Sequence, residues 1–263
     1  MMQIMEEKQE GIRINKYLST AGVCSRREAD RQLEAGNVQI GKRIAKIGDR
    51  VQPGEQVYFQ GKLVKEEEER ILLVVNKPKG IVCTTQKREK DNIVDFLHYP
   101  KRIYPVGRLD KQSEGLLLMT NEGAFVNKIM RAGNRHEKEY LVTVNKTVTD
   151  SFLRGMAGGV PILGQMTRKC IVERTGKKSF RIVLTQGMNR QIRRMCEYFD
   201  YRVVSLKRVR IMNIHLGDLP SGQYRMVTPQ ELEHLEKMLE GSSNDMVRFA
   251  NSSIDQQLWE EEE

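Results

Sequence analysis

No apolar run in this 263-residue chain approaches the roughly 20 residues that a membrane-spanning helix needs, so a helical span is not expected. The first 11 residues hold no apolar segment that could act as a signal peptide, and the expected location is the cytoplasm. Cysteine is sparse. Cys24, Cys83, Cys170 and Cys196 are scattered without a CxxC pair, which argues against a zinc site and, in a cytosolic protein, for free thiols. A P-loop, a dinucleotide fingerprint and ligand-spaced His and Cys are all missing, so neither an organic cofactor nor a metal is expected. No internal repeat is evident, which sets aside solenoids and propellers.

Positive charge, by contrast, is in excess. The formal net charge is +9, which points to a polyanionic partner, nucleic acid being the most economical choice and an acidic membrane surface the competing one. A hydrophobic content of 39% is enough for one good core and a small satellite domain.

Residues 1–10 are polar and charged, and are expected to be flexible. Residues 11–61 form a compact unit. Ile12, Ile14, Tyr17 and Leu18 predict a short helix with an inward apolar side, and Ser25-Arg26-Arg27-Glu28 has the pattern of a capping box. Ala29 and Leu33 continue that helix and Gly36 ends it; Val38 and Ile40 then alternate as a strand, and Gly41-Lys42 turns. Arg26, Arg27, Arg31, Lys42 and Arg43 make the unit basic, which suits a solvated face as well as a contact with a polyanion.

Residues 62–70, with Glu66-Glu67-Glu68-Glu69, predict a solvated charged linker whose negative charge would repel RNA. A larger domain follows over residues 71–240. It opens on the buried strand Ile71-Leu72-Leu73-Val74-Val75 and the turn Asn76-Lys77-Pro78-Lys79-Gly80, where Lys77 is a candidate phosphate contact. In Gly107-Arg108-Leu109-Asp110-Lys111 one carboxylate stands between two cations, just ahead of the apolar run Leu116-Leu117-Leu118-Met119. A carboxylate on a loop at the mouth of a strand, flanked by positive charge, suits a nucleophile or a base; it also suits a plain surface turn.

Further on, residues 124–130 predict a helix, Gly133-Asn134 a turn, and residues 137–144 an alternating strand. Residues 149–156 predict another helix, ended by Gly158-Gly159. Ile192, Met195, Cys196 and Phe199 recur at helical spacing and define one buried face; Arg190, Arg193, Arg194 and Glu197 fall on the opposite one. Guanidinium groups at a helix start suit a phosphate or a carboxylate, which makes Arg190 and Arg194 RNA-contact candidates. Residues 202–212 predict a strand whose Lys207, Arg208 and Arg210 read as a basic stripe. Thr228-Pro229-Gln230-Glu231 is a second capping box, and residues 241–263 predict a disordered acidic tail.

Gly107-Arg108-Leu109-Asp110 with Ser113-Glu114-Gly115-Leu116 resembles the catalytic motif of the RsuA/RluF family of ribosomal RNA pseudouridine synthases. Arg13-Ile14-Asn15-Lys16-Tyr17-Leu18, Ser25-Arg26-Arg27-Glu28-Ala29 and Gly36-Asn37-Val38 together resemble an S4 RNA-binding domain. The resemblance implies an α+β fold: an S4-like domain, then a catalytic domain with a mixed, largely antiparallel sheet and a central cleft. It implies Asp110 as nucleophile, Arg193 of Gln191-Ile192-Arg193 as its partner, and Tyr140 of Lys138-Glu139-Tyr140 stacking on the uracil and serving proton transfer. Leu109 and Leu184 would line the uracil pocket, and Arg108 would fill the space of the flipped nucleotide or hold its phosphate. The implied reaction uses no cofactor. Residues 131–140, 160–164 and 210–213 look most like the RluF branch, implying 23S ribosomal RNA as substrate, a 16S or tRNA uridine being the alternative, and a monomeric enzyme.

Two rival classes remain at this stage. A non-catalytic S4-type assembly factor would need the basic unit but not the trio Asp110, Tyr140 and Arg193. A glycoside hydrolase would need a second acid, for which Glu114 is the nearby candidate, and the polar strands of a sugar groove are missing.

Overall fold

The computed structural model describes residues 11–65, 69–86, 88–130, 135–240 and 242. The expected flexible start, most of the acidic tail, part of the glutamate run and the turn at Gly133-Asn134 lie outside the described residues.

The N-terminal unit comprises β1 (Ile12–Arg13), α1 (Ile14–Thr20), α2 (Arg26–Glu34), β2 (Val38–Ile40), β3 (Arg43–Ile44), β4 (Arg50–Val51), β5 (Val57–Phe59) and β6 (Lys62–Leu63). Its sheet runs β3-β2-β5-β6, with β1 paired to β4, and the two helices pack on a core that includes Ile14, Leu18, Ala29, Leu33, Val38 and Val57. Ile12 is exposed and belongs to β1, not to the helix expected there. Ser25 caps α2 by accepting from the Glu28 N–H at 3.1 Å, but the Glu28 carboxylate turns to Arg31 and Gln32, so the box is half made.

The linker differs from expectation at both ends. Lys62 and Leu63 pair with β5, and Val64 is buried in the small core, so the unit runs past residue 61. Glu69 pairs with Lys101, and Arg70 with Glu122 and Glu236, so the far end is fastened to the larger domain. Arg102 also donates to the Ser19 carbonyl at 3.2 Å, joining the two units directly.

The larger domain continues with β7 (Leu72–Lys77), α3 (Ile93–Leu97), β8 (Tyr104–Val106), β9 (Glu114–Thr120), α4 (Gly123–Met130), β10 (Lys138–Val144), α5 (Asp150–Gly158), β11 (Pro161–Ile162) and β12 (Gln165–Met166). After them come β13 (Ile171–Gly176), β14 (Ser179–Leu184), α6 (Gln191–Tyr198), β15 (Val203–Ile211), β16 (Ile214–His215), β17 (Tyr224–Met226) and α7 (Pro229–Leu239). Its main sheet runs β13-β14-β10-β15-β9-β7-β17, with β16 on β15 and β8 on β9. All its described pairings are antiparallel except β9 with β15, so the sheet is mixed and largely antiparallel.

The two faces carry separate cores because side chains alternate along each strand. Leu73, Val75, Leu117 and Met119 face a core with Tyr140, Phe152 and Ile192; Leu72, Val74, Leu116 and Leu118 face another with Phe125, Ile211 and Leu235. Burial on both sides explains the unbroken apolar runs of β7 and β9. Thr228 and Glu231 cap α7 reciprocally, with Pro229 in the first turn, as the sequence predicts.

The parallel seam rests on a glycine. Gly115 pairs with Arg208 at φ +103°, and a Cβ there would lie 2.2 Å from the Arg208 carbonyl oxygen and 2.8 Å from its nitrogen. Both obstacles are backbone. Gly115→Ala is expected to lower unfolding free energy by on the order of 2–4 kcal/mol, measured by urea denaturation; a loss well below about 1 kcal/mol would show that the seam yields.

Candidate active site

Asp110 lies on the loop between β8 and β9, and that loop is held by its backbone. The Gly80 N–H donates to the Lys111 carbonyl at 2.7 Å, the Leu109 N–H reaches Cys83 Sγ at 3.4 Å, and the Ser113 N–H donates to the Asp110 carbonyl at 2.9 Å. The turn after β7 therefore docks on the Asp110 loop, and Gly80 makes the approach with φ +87°. Lys77 does not face outward as a phosphate contact would. It is 0% exposed, and its Nζ donates to the Pro78 and Ser113 carbonyls at 2.8 Å each. Burial pushes its ammonium down from the usual lysine range, against the pull of Cys83 and the Asp110 carboxylate.

Arg193 comes to the loop from α6. Ile192, Met195 and Cys196 are buried beneath that helix, which sets Arg193 on its flank. Its Nε stands 3.7 Å from Asp110 Oδ2, with the two side chains 12% and 34% exposed. Its Nη2 donates to the Gln112 carbonyl at 3.3 Å and to Ser113 Oγ at 3.4 Å. The guanidinium thus divides itself between the carboxylate and the turn that carries it. Arg190 is the exposed N-cap of α6, at φ +47°, outside the helix proper. Arg194 folds back on Asn189, donating to its carbonyl at 3.2 Å and its side-chain oxygen at 3.1 Å.

Tyr140, on β10, is 9% exposed and shares one apolar cluster with Leu109 and Leu184. Of the predicted pocket residues, Leu109 and Leu184 thus belong to the core that also holds Tyr140 and Ile192 of α6, while Arg108 is exposed. Across the strands Tyr140 pairs with Ile182 on one side and Arg208 on the other.

The predicted basic residues divide sharply. Arg26, Arg27 and Lys42 are exposed on the small unit; Arg31 pairs with Glu28, and Arg43 with Asp49 at 2.5 Å. Arg108 is exposed beside Asp110, and Lys207 is half-buried. Arg208 contradicts its assignment as an RNA contact, being 1% exposed with Nε donating to the Leu116 carbonyl at 2.7 Å. Arg210 turns to Glu139 and Glu137, at 2.8 and 2.9 Å, so no continuous basic stripe runs along β15.

Lys138 was missed by sequence reasoning. It is buried on β10 at the position two before Tyr140, and burial together with the neighbouring Arg208 pushes its ammonium down to about 8. The signal was the strand's own alternation, which puts Lys138 and Tyr140 on one face. A cavity of about 390 Å³ lined by Arg70, Phe125, Lys128, Glu236 and Leu239 shares no residue with the Asp110 loop. Among the described residues no cluster of His, Cys, Asp and Glu could hold a metal ion, and no helix is long and apolar enough to cross a membrane.

Comparison with known proteins places the chain in a family. Residues 71–198 match the RNA pseudouridylate synthase family and residues 12–57 the S4 domain. The chain is 54% identical, over 89% of its length and 82% of the relative's, to the dual-specificity RNA pseudouridine synthase RluF of Escherichia coli strain K12. It is 32% identical to the ribosomal large subunit pseudouridine synthase B of Bacillus subtilis, covering 88% of this chain and 98% of that one. A crystal structure of a pseudouridylate synthase superposes with TM-score 0.63 at 28% identity, over 85% of this chain and 99% of that chain. With an S4 unit at its head and Asp110 braced beneath Arg193, the chain belongs to the RsuA/RluF family of ribosomal RNA pseudouridine synthases.

Proposed function

We propose that Asp110 is the nucleophile of uridine isomerisation, and the observation that carries this is its contact with Arg193 on a loop whose backbone is tied down on both sides. The target uridine leaves its stack, since a stacked base cannot present its glycosidic bond to a side chain. Arg108, exposed beside Asp110, takes up the vacated space or holds the flipped nucleotide's phosphate. Uracil enters the apolar cluster of Leu109, Tyr140 and Leu184. Asp110 bonds to the sugar as the C1′–N1 bonding pair leaves with the base; uracil turns, and C5 bonds to C1′ as the carboxylate is released. The proton displaced from C5 departs with the assistance of Tyr140. Arg193 aims Asp110 throughout.

The substrate we assign is a uridine of 23S ribosomal RNA, bound in the cytoplasm through the S4 unit, where Arg26, Arg27 and Lys42 lie open to phosphate. The large-subunit name of one relative supports this; the dual specificity named for the other supports testing a second class of RNA, with 16S and tRNA uridines as the alternatives. Purified protein is expected to form pseudouridine in an unmodified 23S transcript, detected by site mapping after incubation. Conversion confined to 16S or tRNA transcripts would overturn the 23S assignment.

Arg193 separates a catalytic partner from a phosphate anchor. Arg193→Ala is expected to slow single-turnover conversion about 100-fold at saturating enzyme, because misplacing a reacting group costs that much. Arg193→Lys keeps a charge but cannot serve carboxylate and turn together, and falls between. Arg190→Ala, on the exposed N-cap, weakens binding alone. Wild-type turnover in Arg193→Ala with reduced affinity would make Arg193 a phosphate contact.

A further inference from the structure

Arg208 is the largest fully buried side chain in the described structure. No carboxylate pairs with it among the described residues; the charges acting near it include two other buried cations, Lys77 and Lys138. Its Nη2 is buried without a hydrogen-bond partner. Burying a cation without a counter-charge costs folding free energy, so packing alone is a poor account of its presence.

Its contacts suggest what it does. Nε donates to the Leu116 carbonyl on β9 at 2.7 Å, and Nη1 lies 3.4 Å from the Arg108 carbonyl, two residues before Asp110. Across the sheet the residue is in register with Gly115 on one neighbouring strand and Tyr140 on the other. Side chains paired in register share a sheet face, so Arg208 and Tyr140 stand side by side. The Asp110 loop is thereby fastened to the strand next to the one that carries Tyr140. Gly115 lets the two strands approach closely enough for the guanidinium to reach.

We propose that Arg208 is a positioning residue that fixes the Asp110 loop relative to Tyr140. The inference rests on reading Asp110 and Tyr140 as the reacting groups. Lys77 holds the same loop on its far side, at Ser113, so the two buried cations bracket Asp110 through its backbone. Backbone carbonyls accept from both, which leaves the Asp110 side chain to Arg193.

The test is Arg208→Met and Arg208→Lys in the full-length protein, each measured for thermal melting, RNA affinity and single-turnover conversion of an RNA that the wild type modifies. Arg208→Met is expected to melt cooperatively at or above the wild-type temperature, to bind RNA within about 3-fold, and to convert it about 100-fold more slowly. Arg208→Lys keeps the charge and one donor but loses the fork, so about a 10-fold loss of rate is expected, and this variant decides the matter if Arg208→Met does not fold. Combined with Tyr140→Phe, Arg208→Met is expected to cost less than the product of the single losses, since both disturb one spacing. A folded Arg208 variant with the wild-type rate, a defect confined to affinity, or losses that multiply would each overturn the proposal. Failure of the underlying reading is distinguishable, because it would appear as a fully active Asp110→Asn protein whatever Arg208 does.

Discussion

A carboxylate that must meet a substrate cannot be buried, yet a loop open to water has little of its own to hold it still. In this protein the conflict is met by hydrogen bonds to the loop's backbone. The carbonyls of Arg108, Lys111, Gln112 and Ser113 accept from Arg208, Gly80, Arg193 and Lys77 in turn. The donors come from β15, from the end of β7 with the turn after it, and from α6, so three elements of the domain locate the loop. Three of the four are cationic, and hydrogen bonds from charged donors are the stronger kind. Asp110 stays 34% exposed while its main chain is fixed.

The same arrangement divides the positive charge between two uses. Arg26, Arg27, Lys42, Arg108 and Arg190 are exposed on the surface. Lys77, Lys138 and Arg208 are inside, with Arg208 close enough for its charge to act on both lysines. In the proposed reading the outer set meets the RNA, and its contribution to affinity falls as salt rises. Of the inner set, Lys77 and Arg208 donate to the backbone of the Asp110 loop. Arg181 and Arg210 belong to neither, since both are taken up by Glu139, with Glu173 and Glu137 at the flanks.

Much of this was legible in the sequence because it depends on local rules. The 3.6-residue spacing of Ile192, Met195 and Cys196 located the buried face of α6, and the alternation of residues 137–144 located the strand that carries Tyr140. The family resemblance supplied the pairing of Asp110 with Arg193, which no spacing rule could give, since the two are far apart in the chain. What was not legible was the direction of charged side chains. Lys77 and Arg208 bear the residue types of a surface and occupy buried strand positions, and only the partners across the sheet decide that. The half-made capping box at Ser25 failed for a similar reason: Glu28 had nearer cationic and amide partners one turn along the helix. The strand at Lys62–Leu63 was hidden by the charge run that follows it, although Leu63 and the buried Val64 marked its end.

The account stands on one carboxylate. Its most direct test is Asp110→Asn, which keeps the side chain's size and most of its hydrogen bonding while removing the nucleophile. The measurement is single-turnover pseudouridine formation at saturating enzyme, with RNA affinity determined on the same preparation. The account predicts binding within about 3-fold of wild type and conversion slower by at least about 10⁴-fold. Conversion at close to the wild-type rate would show that another group performs the chemistry, and the site built around Asp110 would be only a well-braced turn.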